Sequence, residues 1–381
     1  MEQINILDTP PSRVLTDHQY TKSSRMQIPL SGAFELSPVC NFSCRMCYVR
    51  KSPMEVRSAS RSPLTLDDWR RIAREARDAG LLYLLLTGGE PLLWPDFWTL
   101  YDELIDMGFV VSVNTNASLI DEKAIARFRQ KPPQKLSITL YGASDTTYRR
   151  LCGVDDVFSR VDRAIRGLSA AGITVKLNCS LTPDNGQDLP FILQYAKEQD
   201  LSLAATSYMF PPVRRDPSMV GTNARFTPEQ AAAYHMHYIA FDRSEEKYRS
   251  YLKQILEGYC TPPGLDESCV DPVDGHIRCR AGKASFWVTW DGWLTPCGMM
   301  PEPKVDILSK SFADCWQALT ELSAALRLAG LCETCSSRNI CHPCAAIAMA
   351  ETGTTEGVPR YKCRITQAIS EIAKKTLDET T

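Results

Sequence analysis

The chain has 381 residues, of which 44% are hydrophobic, and its 43 basic and 45 acidic residues give a formal net charge of -2. This length predicts one large domain with a smaller one, and the balanced charge argues against a nucleic-acid partner. The N-terminal sequence lacks a basic start followed by an apolar core, and no apolar run approaches the roughly 18 residues of a membrane span, so we expect a cytoplasmic protein without a membrane partner.

Short apolar runs alternate with amphipathic segments along the first half of the chain. Six runs predict strands, at residues 33–39, 82–87, 109–114, 136–141, 174–179 and 201–206. Helical patterns separate them, the first starting at Leu64 with Thr65 as its N-cap. This alternation implies parallel strands in one sheet, and six units are too few for a closed eight-stranded barrel. We therefore predict an α/β fold with a partial (β/α)6 TIM-like barrel whose chemistry collects at the C-terminal strand ends.

Three cysteines follow the first predicted strand, within the sequence CNFSCRMCYVR at residues 40–50. In a reducing compartment, 15 cysteines in a chain of this length indicate metal or redox chemistry rather than a disulfide framework. Cys40, Cys44 and Cys47 can bind three irons of a cubane cluster and leave the fourth iron open, whereas a structural metal site is normally closed by a fourth protein ligand.

This C-x3-C-x2-C pattern, followed by Tyr48, resembles the signature of radical S-adenosylmethionine (SAM) enzymes. The resemblance implies a 4Fe-4S cluster whose open iron is chelated by SAM. It also implies that an electron from the cluster, supplied by a flavodoxin or ferredoxin, cleaves SAM to methionine and a 5'-deoxyadenosyl radical. Tyr48 is then expected to lie in the SAM-binding region.

Residues at later strand ends fit the same resemblance. Gly88, Gly89, Glu90 and Pro91 follow the second strand and are similar to the family's GGE motif, which holds the SAM amino group, although Glu90 can instead fix the turn. By resemblance, four further residues are candidates for the SAM ribose and carboxylate: Asn114, Asn116, Ser137 and Arg149. Cys179 ends the fifth strand and is a candidate to face the radical. The alternative is that Cys179 lies in the core, which is where we expect Cys152 and Cys315.

The C-terminal third contains a second set of cysteines, whose order and spacing resemble the SPASM domain, an extension of radical SAM enzymes with two auxiliary 4Fe-4S clusters. The family pattern assigns one cluster, the outer one, to Cys332, Cys335, Cys341 and Cys363, and the inner one to Cys279, Cys297 and Cys344. Cys269 or Cys260 is the candidate fourth ligand of the inner cluster, unless that iron is open. This sequence departs from the family in placing two residues, not three, between Cys341 and Cys344, and zinc in the 332–344 quartet is the alternative.

The resemblance covers residues 33–363 and implies three 4Fe-4S clusters. It also divides the chain into four regions. These are an N-terminal extension (1–30), a radical SAM partial barrel (31–225), a helical bridge (226–265) and a SPASM auxiliary-cluster domain (266–381). It implies an oxidoreductase of the peptide maturase type, which modifies a ribosomally made peptide through a crosslink or related side-chain or α-carbon chemistry. Because 39 residues precede Cys40, we expect no winged-helix leader-binding domain.

Three other functions remain open: radical chemistry on a small-molecule metabolite, formylglycine formation as in sulfatase maturases, and a noncatalytic iron-sulfur carrier or sensor. Sulfatase maturases place an aspartate base after the cysteine that corresponds to Cys297, where this chain has Gly298. The following Met299 and Met300 suggest an apolar wall. Arg214 and Arg215, after the sixth strand, are candidates to meet acidic peptide groups, with a plain surface loop as the alternative.

Overall fold

The computed structural model of the chain describes residues 11–258, 277 and 279–379. Its strands are β1 (Ser31–Glu35), β2 (Tyr83–Thr87), β3 (Val110–Thr115), β4 (Lys135–Thr139), β5 (Val175–Ser180), β6 (Ser202–Thr206), β7 (Ser285–Val288), β8 (Trp293–Thr295) and β9 (Val305–Asp306). The helices up to β6 are α1 (Pro11–Met26), α2 (Pro53–Arg57), α3 (Leu66–Asp78), α4 (Phe97–Asp106), α5 (Glu122–Gln130), α6 (Asp145–Cys152), α7 (Phe158–Ala170) and α8 (Leu189–Glu198). The later helices are α9 (Pro228–Ala240), α10 (Glu245–Glu257), α11 (Phe312–Ala324), α12 (Gly330–Glu333), α13 (Arg338–Cys341), α14 (Ala345–Thr352) and α15 (Arg360–Glu379).

Strands β1 to β6 are parallel, and each pairs with its neighbour in sequence. The described strands form one sheet in the order β6-β5-β4-β3-β2-β1-β7-β8-β9, in which β7 runs parallel to β1 and the last two strands are antiparallel. The predicted α/β fold is confirmed, and all six predicted strands form, although β1 ends at Glu35 because the chain turns there into the cysteine loop.

The helices cover the outer face of the sheet. Helix α3 begins as predicted at Thr65, whose side chain accepts a hydrogen bond from the Asp68 backbone while the Asp68 carboxylate accepts one from the Thr65 backbone. Its apolar face is buried through Trp69, whose ring centroid lies 4.8 Å from that of Phe34 on β1. Alternating apolar residues on the strands and apolar stripes on the helices thus form one continuous core.

The C-terminal region continues this sheet. Helix α15 packs on α9 and α10, the two helices found in the predicted bridge, and α11 packs on α3. The predicted boundary at residue 266 lies outside the described residues, and the pairing of β7 with β1 joins the regions on either side of it. Within the described part of the chain, no helix has the length and apolar character needed to cross a membrane.

Candidate active site

The loop after β1 carries Cys40, Cys44 and Cys47 and is held against the end of β2. The Gly89 backbone N–H donates to the Ser37 carbonyl at 2.7 Å, and the Glu90 N–H donates to the Val39 carbonyl at 3.0 Å. A Cβ atom on Gly89 would lie 2.4 Å from the Val39 carbonyl oxygen. The glycine is therefore required for the close approach of the two loops, which fixes where the cysteines stand relative to the strand ends.

The surroundings of the three thiols fit metal-bound sulfur. Cys40 Sγ accepts a hydrogen bond from the Phe42 N–H, and Cys47 Sγ accepts one from the Arg50 N–H, each at 3.3 Å. Backbone donors of this kind stabilise sulfurs that carry negative charge. A hydrogen bond from the Cys152 thiol lowers the pKa of Cys44, although burial opposes it.

Burial and nearby negative charges oppose the ionisation of Cys40. Burial raises the pKa of Cys40 to about 12, with a further contribution from Glu90, Cys44 and Cys47, so this thiol needs a cation beside it to ionise near neutral pH. Among the residues the structure describes, no three His, Cys, Asp or Glu side chains are placed so that they could hold a single metal ion. A cubane cluster, in contrast, places its thiolates on separate irons.

Glu90 is fully buried and fixes the end of β3. One carboxylate oxygen accepts hydrogen bonds from the Thr115 hydroxyl at 2.9 Å and the Leu92 N–H at 3.1 Å, and the other accepts one from the Asn116 N–H at 2.8 Å. Burial raises the pKa of Glu90 to about 7, although the hydrogen bonds from Asn116, Thr115 and Leu92 act in the opposite direction. A carboxylate has about four acceptor positions, so one remains for a further donor such as an amine.

Asn116 connects the end of β3 to the cysteine loop. Its side-chain amide donates to the Asn41 side-chain carbonyl at 2.9 Å, and its own carbonyl oxygen accepts from the Ser118 hydroxyl at 2.7 Å. The residue is buried. Asn116 therefore lies beside the cysteine loop, and these hydrogen bonds already use much of its polar capacity.

A cavity of about 810 Å³ occupies the inside of the barrel. The predicted residues Asn114 and Ser137 line it, and they are paired across β3 and β4. On the side of the C-terminal region it is bounded by Cys279, Cys297 and Met299. The cavity therefore runs from the inner faces of the strands to the second set of cysteines.

Cys179 does not face this cavity, so the prediction that it faces the radical is wrong. Its neighbours on β5, Lys176 and Asn178, line the cavity, whereas Cys179 is 1% exposed within the core under the helices. Successive side chains on a strand point to opposite faces, and Cys179 shares its face with the apolar Val175 and Leu177. Cys152 and Cys315 are also buried in the core.

Arg149 lies on α6 with a side chain that is 62% exposed. Its guanidinium forms an ion pair with Asp155, which raises the pKa of Arg149. The structure thus gives this arginine a partner on the surface, and the predicted contact with SAM has no support from the geometry.

A buried ion pair joins β1 to the loop after β6. The Arg214 guanidinium donates two hydrogen bonds to the Glu35 carboxylate, at 2.9 and 3.0 Å, and a third to the Gly298 carbonyl at 2.7 Å. Trp287 Nε1 donates to the same carboxylate at 2.9 Å, and the guanidinium stands 5.8 Å from the ring centroid of Tyr48. The network therefore links Tyr48, next to Cys47, with Gly298, next to Cys297.

This network corrects the expectation for Arg214, which is 10% exposed and already paired, so it is not available to acidic peptide groups. Sequence reasoning also missed Glu35, although a single acidic residue in the apolar run AFELSPV was a usable signal. Of the two residues expected to form an apolar wall, Met299 lines the cavity, whereas Met300 is buried in a separate apolar cluster. A Cβ atom on Gly298 would lie 2.7 Å from the Trp287 indole, so this ring fills the position of an aspartate side chain.

The described C-terminal cysteines interact electrostatically in two groups. Burial raises the pKa of Cys332, with contributions from Cys363, Cys341 and Cys335, which places these four thiols together. Burial also raises the pKa of Cys297 to about 11, with contributions from Cys344 and Cys279. Cys260 and Cys269, the candidate fourth ligands of the second group, lie outside the described residues.

The short spacing between Cys341 and Cys344 is accommodated by one residue. His342 has a φ of 50° in the left-handed region and ends α13 directly after Cys341. The chain therefore turns sharply between the two cysteines, so that Cys341 stays with the first group and Cys344 reaches the second.

Comparison with known proteins identifies related sequences. A model of the radical SAM superfamily matches residues 34–196. An AdoMet-dependent heme synthase of Methanosarcina barkeri is 24% identical, covering 84% of this chain and 92% of its own length. A probable GTP 3',8-cyclase of Saccharolobus solfataricus is 30% identical, covering 72% of this chain and 84% of its own length.

Solved structures share the fold over nearly the whole chain. Streptococcus suis SuiB bound to the precursor peptide SuiA has a TM-score of 0.65 at 18% identity, covering 95% of this chain and 84% of that chain. Native anSMEcpe with bound AdoMet and Cp18Cys peptide has a TM-score of 0.64 at 17% identity, covering 92% of this chain and 99% of that chain. The shared fold therefore includes the C-terminal cysteine region as well as the barrel.

Proposed function

Because this chain belongs to the radical SAM superfamily, we propose that it oxidatively modifies a ribosomally made peptide bound inside the barrel. Members of this superfamily bind SAM and an iron-sulfur cluster, which together supply a 5'-deoxyadenosyl radical that removes a hydrogen atom from the substrate. The observation that carries the proposal is a cavity bounded by Cys279 and Cys297 at one side and by the inward residues of the parallel strands at the other.

We assign Cys40, Cys44 and Cys47 to the cluster that binds SAM. The assignment is supported by the N–H donors to two of these sulfurs and by the position of the loop at the C-terminal end of β1. Glu90 has one acceptor position left for the SAM amino group, and its other hydrogen bonds hold the ends of β2 and β3 together.

Several other residues have supporting roles in this proposal. Gly88, Gly89 and Pro91 shape the turn around Glu90, and Asn116 orients the cysteine loop through Asn41. Tyr48 stands beside the Arg214 guanidinium, between the two cysteine regions. Asn114 and Ser137 present polar groups to the cavity, where they can bind SAM or substrate.

We assign two auxiliary 4Fe-4S clusters to the C-terminal cysteines. The grouping of Cys332, Cys335, Cys341 and Cys363, and of Cys279, Cys297 and Cys344, supports this assignment. Clusters held by these cysteines would accept one electron from the substrate, so that loss of a hydrogen atom, a proton and an electron would amount to a net loss of two hydrogens from the peptide. Cys260 or Cys269 would complete the inner set.

The cluster assignment is tested by measuring the iron content and the cleavage of SAM on the same samples. Anaerobically reconstituted protein should contain about 12 Fe per chain for three cubane clusters. Replacing Cys40, Cys44 and Cys47 by Ala should leave about 8 Fe and abolish 5'-deoxyadenosine formation under dithionite. Stoichiometric zinc in protein purified without oxygen would instead assign the quartet at 332–344 to zinc, and undiminished SAM cleavage by the triple variant would refute the first cluster.

The peptide assignment is supported by two proteins of the same fold, SuiB and anSMEcpe, whose structures contain a peptide. The test is to sequence the neighbouring genes and to incubate the enzyme, SAM and a reductant with any short peptide that they encode. Mass spectrometry should then show the loss of two hydrogens, together with one 5'-deoxyadenosine for each modification. An unmodified peptide, with turnover of a nonpeptide metabolite, would contradict the proposal.

A small-molecule substrate is the second candidate. It is favoured by the heme synthase and GTP cyclase relatives, whose names describe chemistry on small molecules and whose sequences align over most of this chain. Formylglycine formation has less support, because Trp287 occupies the position of the expected aspartate side chain at Gly298.

A further inference from the structure

The floor of the barrel cavity carries two lysines that the proposed chemistry does not use. Lys135 begins β4 and Lys176 follows the first residue of β5, and both side chains line the cavity. Neither ammonium has a hydrogen-bond or ion-pair partner among the residues the structure describes. Desolvation, with a further contribution from Lys176, lowers the pKa of Lys135.

Strand pairing determines how close the two lysines are. Lys176 lies opposite Ser137, and Lys135 is two residues before Ser137 on the same face of β4. Neighbouring strands are about 4.8 Å apart, and two residues along a strand span about 7 Å, so two flexible lysine side chains can reach one common point.

The cavity provides no carboxylate to balance these charges. Among the described residues that line it, none is Asp or Glu, and Glu35 above it is already paired with Arg214. A third cation, Arg280, stands at the α1 end, where it stacks at 4.0 Å over the Tyr20 ring and approaches Asp17 at 3.9 Å. Two half-buried ammonium groups without a counter-charge repel each other, and a bound anion removes that repulsion.

We propose that Lys135 and Lys176 form an anion subsite that binds a carboxylate or phosphate group of the substrate. This inference rests on the proposed function and specifies the substrate further. The subsite lies at the N-terminal ends of the strands, whereas the cysteine loop lies at their C-terminal ends. A substrate anchored by its anionic group therefore extends along the inward faces of the strands, past Asn114 and Ser137, in the direction of the C-terminal strand ends.

For a peptide substrate, the anionic group is an Asp or Glu side chain or the C-terminal carboxylate. For a metabolite it is a carboxylate or a phosphate. Lysine ammonium groups bind both as point charges. The two sources are distinguished by the probes in the experiments that follow.

The first experiment measures occupancy without any turnover. The reconstituted holoenzyme is treated with a small amine-acylating reagent, with and without inorganic phosphate or acetate, and labelling is quantified by mass spectrometry. We expect either anion to reduce labelling of Lys135 and Lys176 several-fold while exposed Lys123 on α5 is unaffected, and the better protector identifies the preferred group. Equal labelling with and without both anions would overturn the subsite.

The second experiment measures the effect on substrate. The variant Lys135→Gln/Lys176→Gln should raise KM for the encoded peptide about tenfold or more, with a smaller change in kcat, and Lys123→Gln should match the wild type. The peptide is also changed by replacing the acidic residue that binds the lysines with its amide, or by amidating the peptide C-terminus. Either change should raise KM for the wild-type enzyme but should not raise KM further for the double variant. An unchanged KM in the double variant would overturn the assignment to substrate.

SAM also carries a carboxylate, so its own binding is measured in parallel. Protection of both lysines by SAM alone, with a raised KM for SAM and not for peptide, would assign the pair to the cosubstrate and contradict the proposal. If no peptide is modified but phosphate or acetate still protects both lysines, the peptide proposal fails while the anion subsite stands.

Discussion

The buried pair of Glu35 and Arg214 allows a quantitative prediction. The side chain of Glu35 is 1% exposed and that of Arg214 is 10% exposed, and two hydrogen bonds of 2.9 and 3.0 Å join them. Changing Arg214 to Met would leave a buried carboxylate with only the Trp287 indole as a donor. Removing one partner of such a pair costs about 3–5 kcal/mol, because the remaining charge is not solvated.

The double variant Glu35→Gln/Arg214→Met separates the charge from the packing. Gln at position 35 still accepts the hydrogen bond from Trp287 and carries no charge, so most of the lost stability should return. We expect the single variant Arg214→Met to lower Tm by about 4–6 °C and the double variant to lower it by less than half as much.

The assay is thermal unfolding of anaerobically reconstituted protein, followed by circular dichroism, with iron measured for each variant to identify loss of a cluster. The control is Arg364→Met, which breaks the exposed pair of Arg364 with Glu229 and should cost less than about 1 kcal/mol. Equal Tm values for Arg214→Met and the double variant would show that the buried charge is not the cause, and the reasoning would be refuted.

Two further predictions concern the turn at residues 88–91, which we propose binds SAM, and the half-buried His235. Gly89→Ala should lower both Tm and 5'-deoxyadenosine formation, because the new Cβ would lie 2.4 Å from the Val39 carbonyl oxygen, whereas Gly330→Ala, with open space around it, should change neither. Burial, with Lys362 and Arg243, lowers the pKa of His235 to about 4. The unfolded histidine gains its proton near pH 6.5, so stability that is present above this pH is lost as the pH falls toward 4, by about 1.3 kcal/mol between pH 7.5 and 5.5. His235→Gln should lose correspondingly less over this interval, and parallel losses in thermal unfolding at the two pH values would contradict the assignment.

The local sequence was sufficient to predict the six parallel strands and the start of helix α3. The six strands and the N-cap at Thr65 follow from apolar spacing and side-chain chemistry within a few residues, which is why they could be predicted. The orientation of Cys179 was also accessible, because Val175 and Leu177 on the same face are apolar while Lys176 and Asn178 are polar. The error came from considering only that Cys179 ends a strand.

Contacts between residues that are far apart in the sequence could be identified only from the tertiary structure. Glu35 and Arg214 are 179 positions apart, so the apolar run around Glu35 signals a buried carboxylate but does not identify Arg214 as its partner. Lys135 and Lys176 come together only because the pairing of β4 with β5 puts Lys176 opposite Ser137. Sequence patterns report the periodicity of each segment, but the register between strands and the close packing of loops are set by contacts among the whole set of segments. That is the physical reason why the cysteine motif could be found in the sequence, while the charged lining of the cavity required the fold.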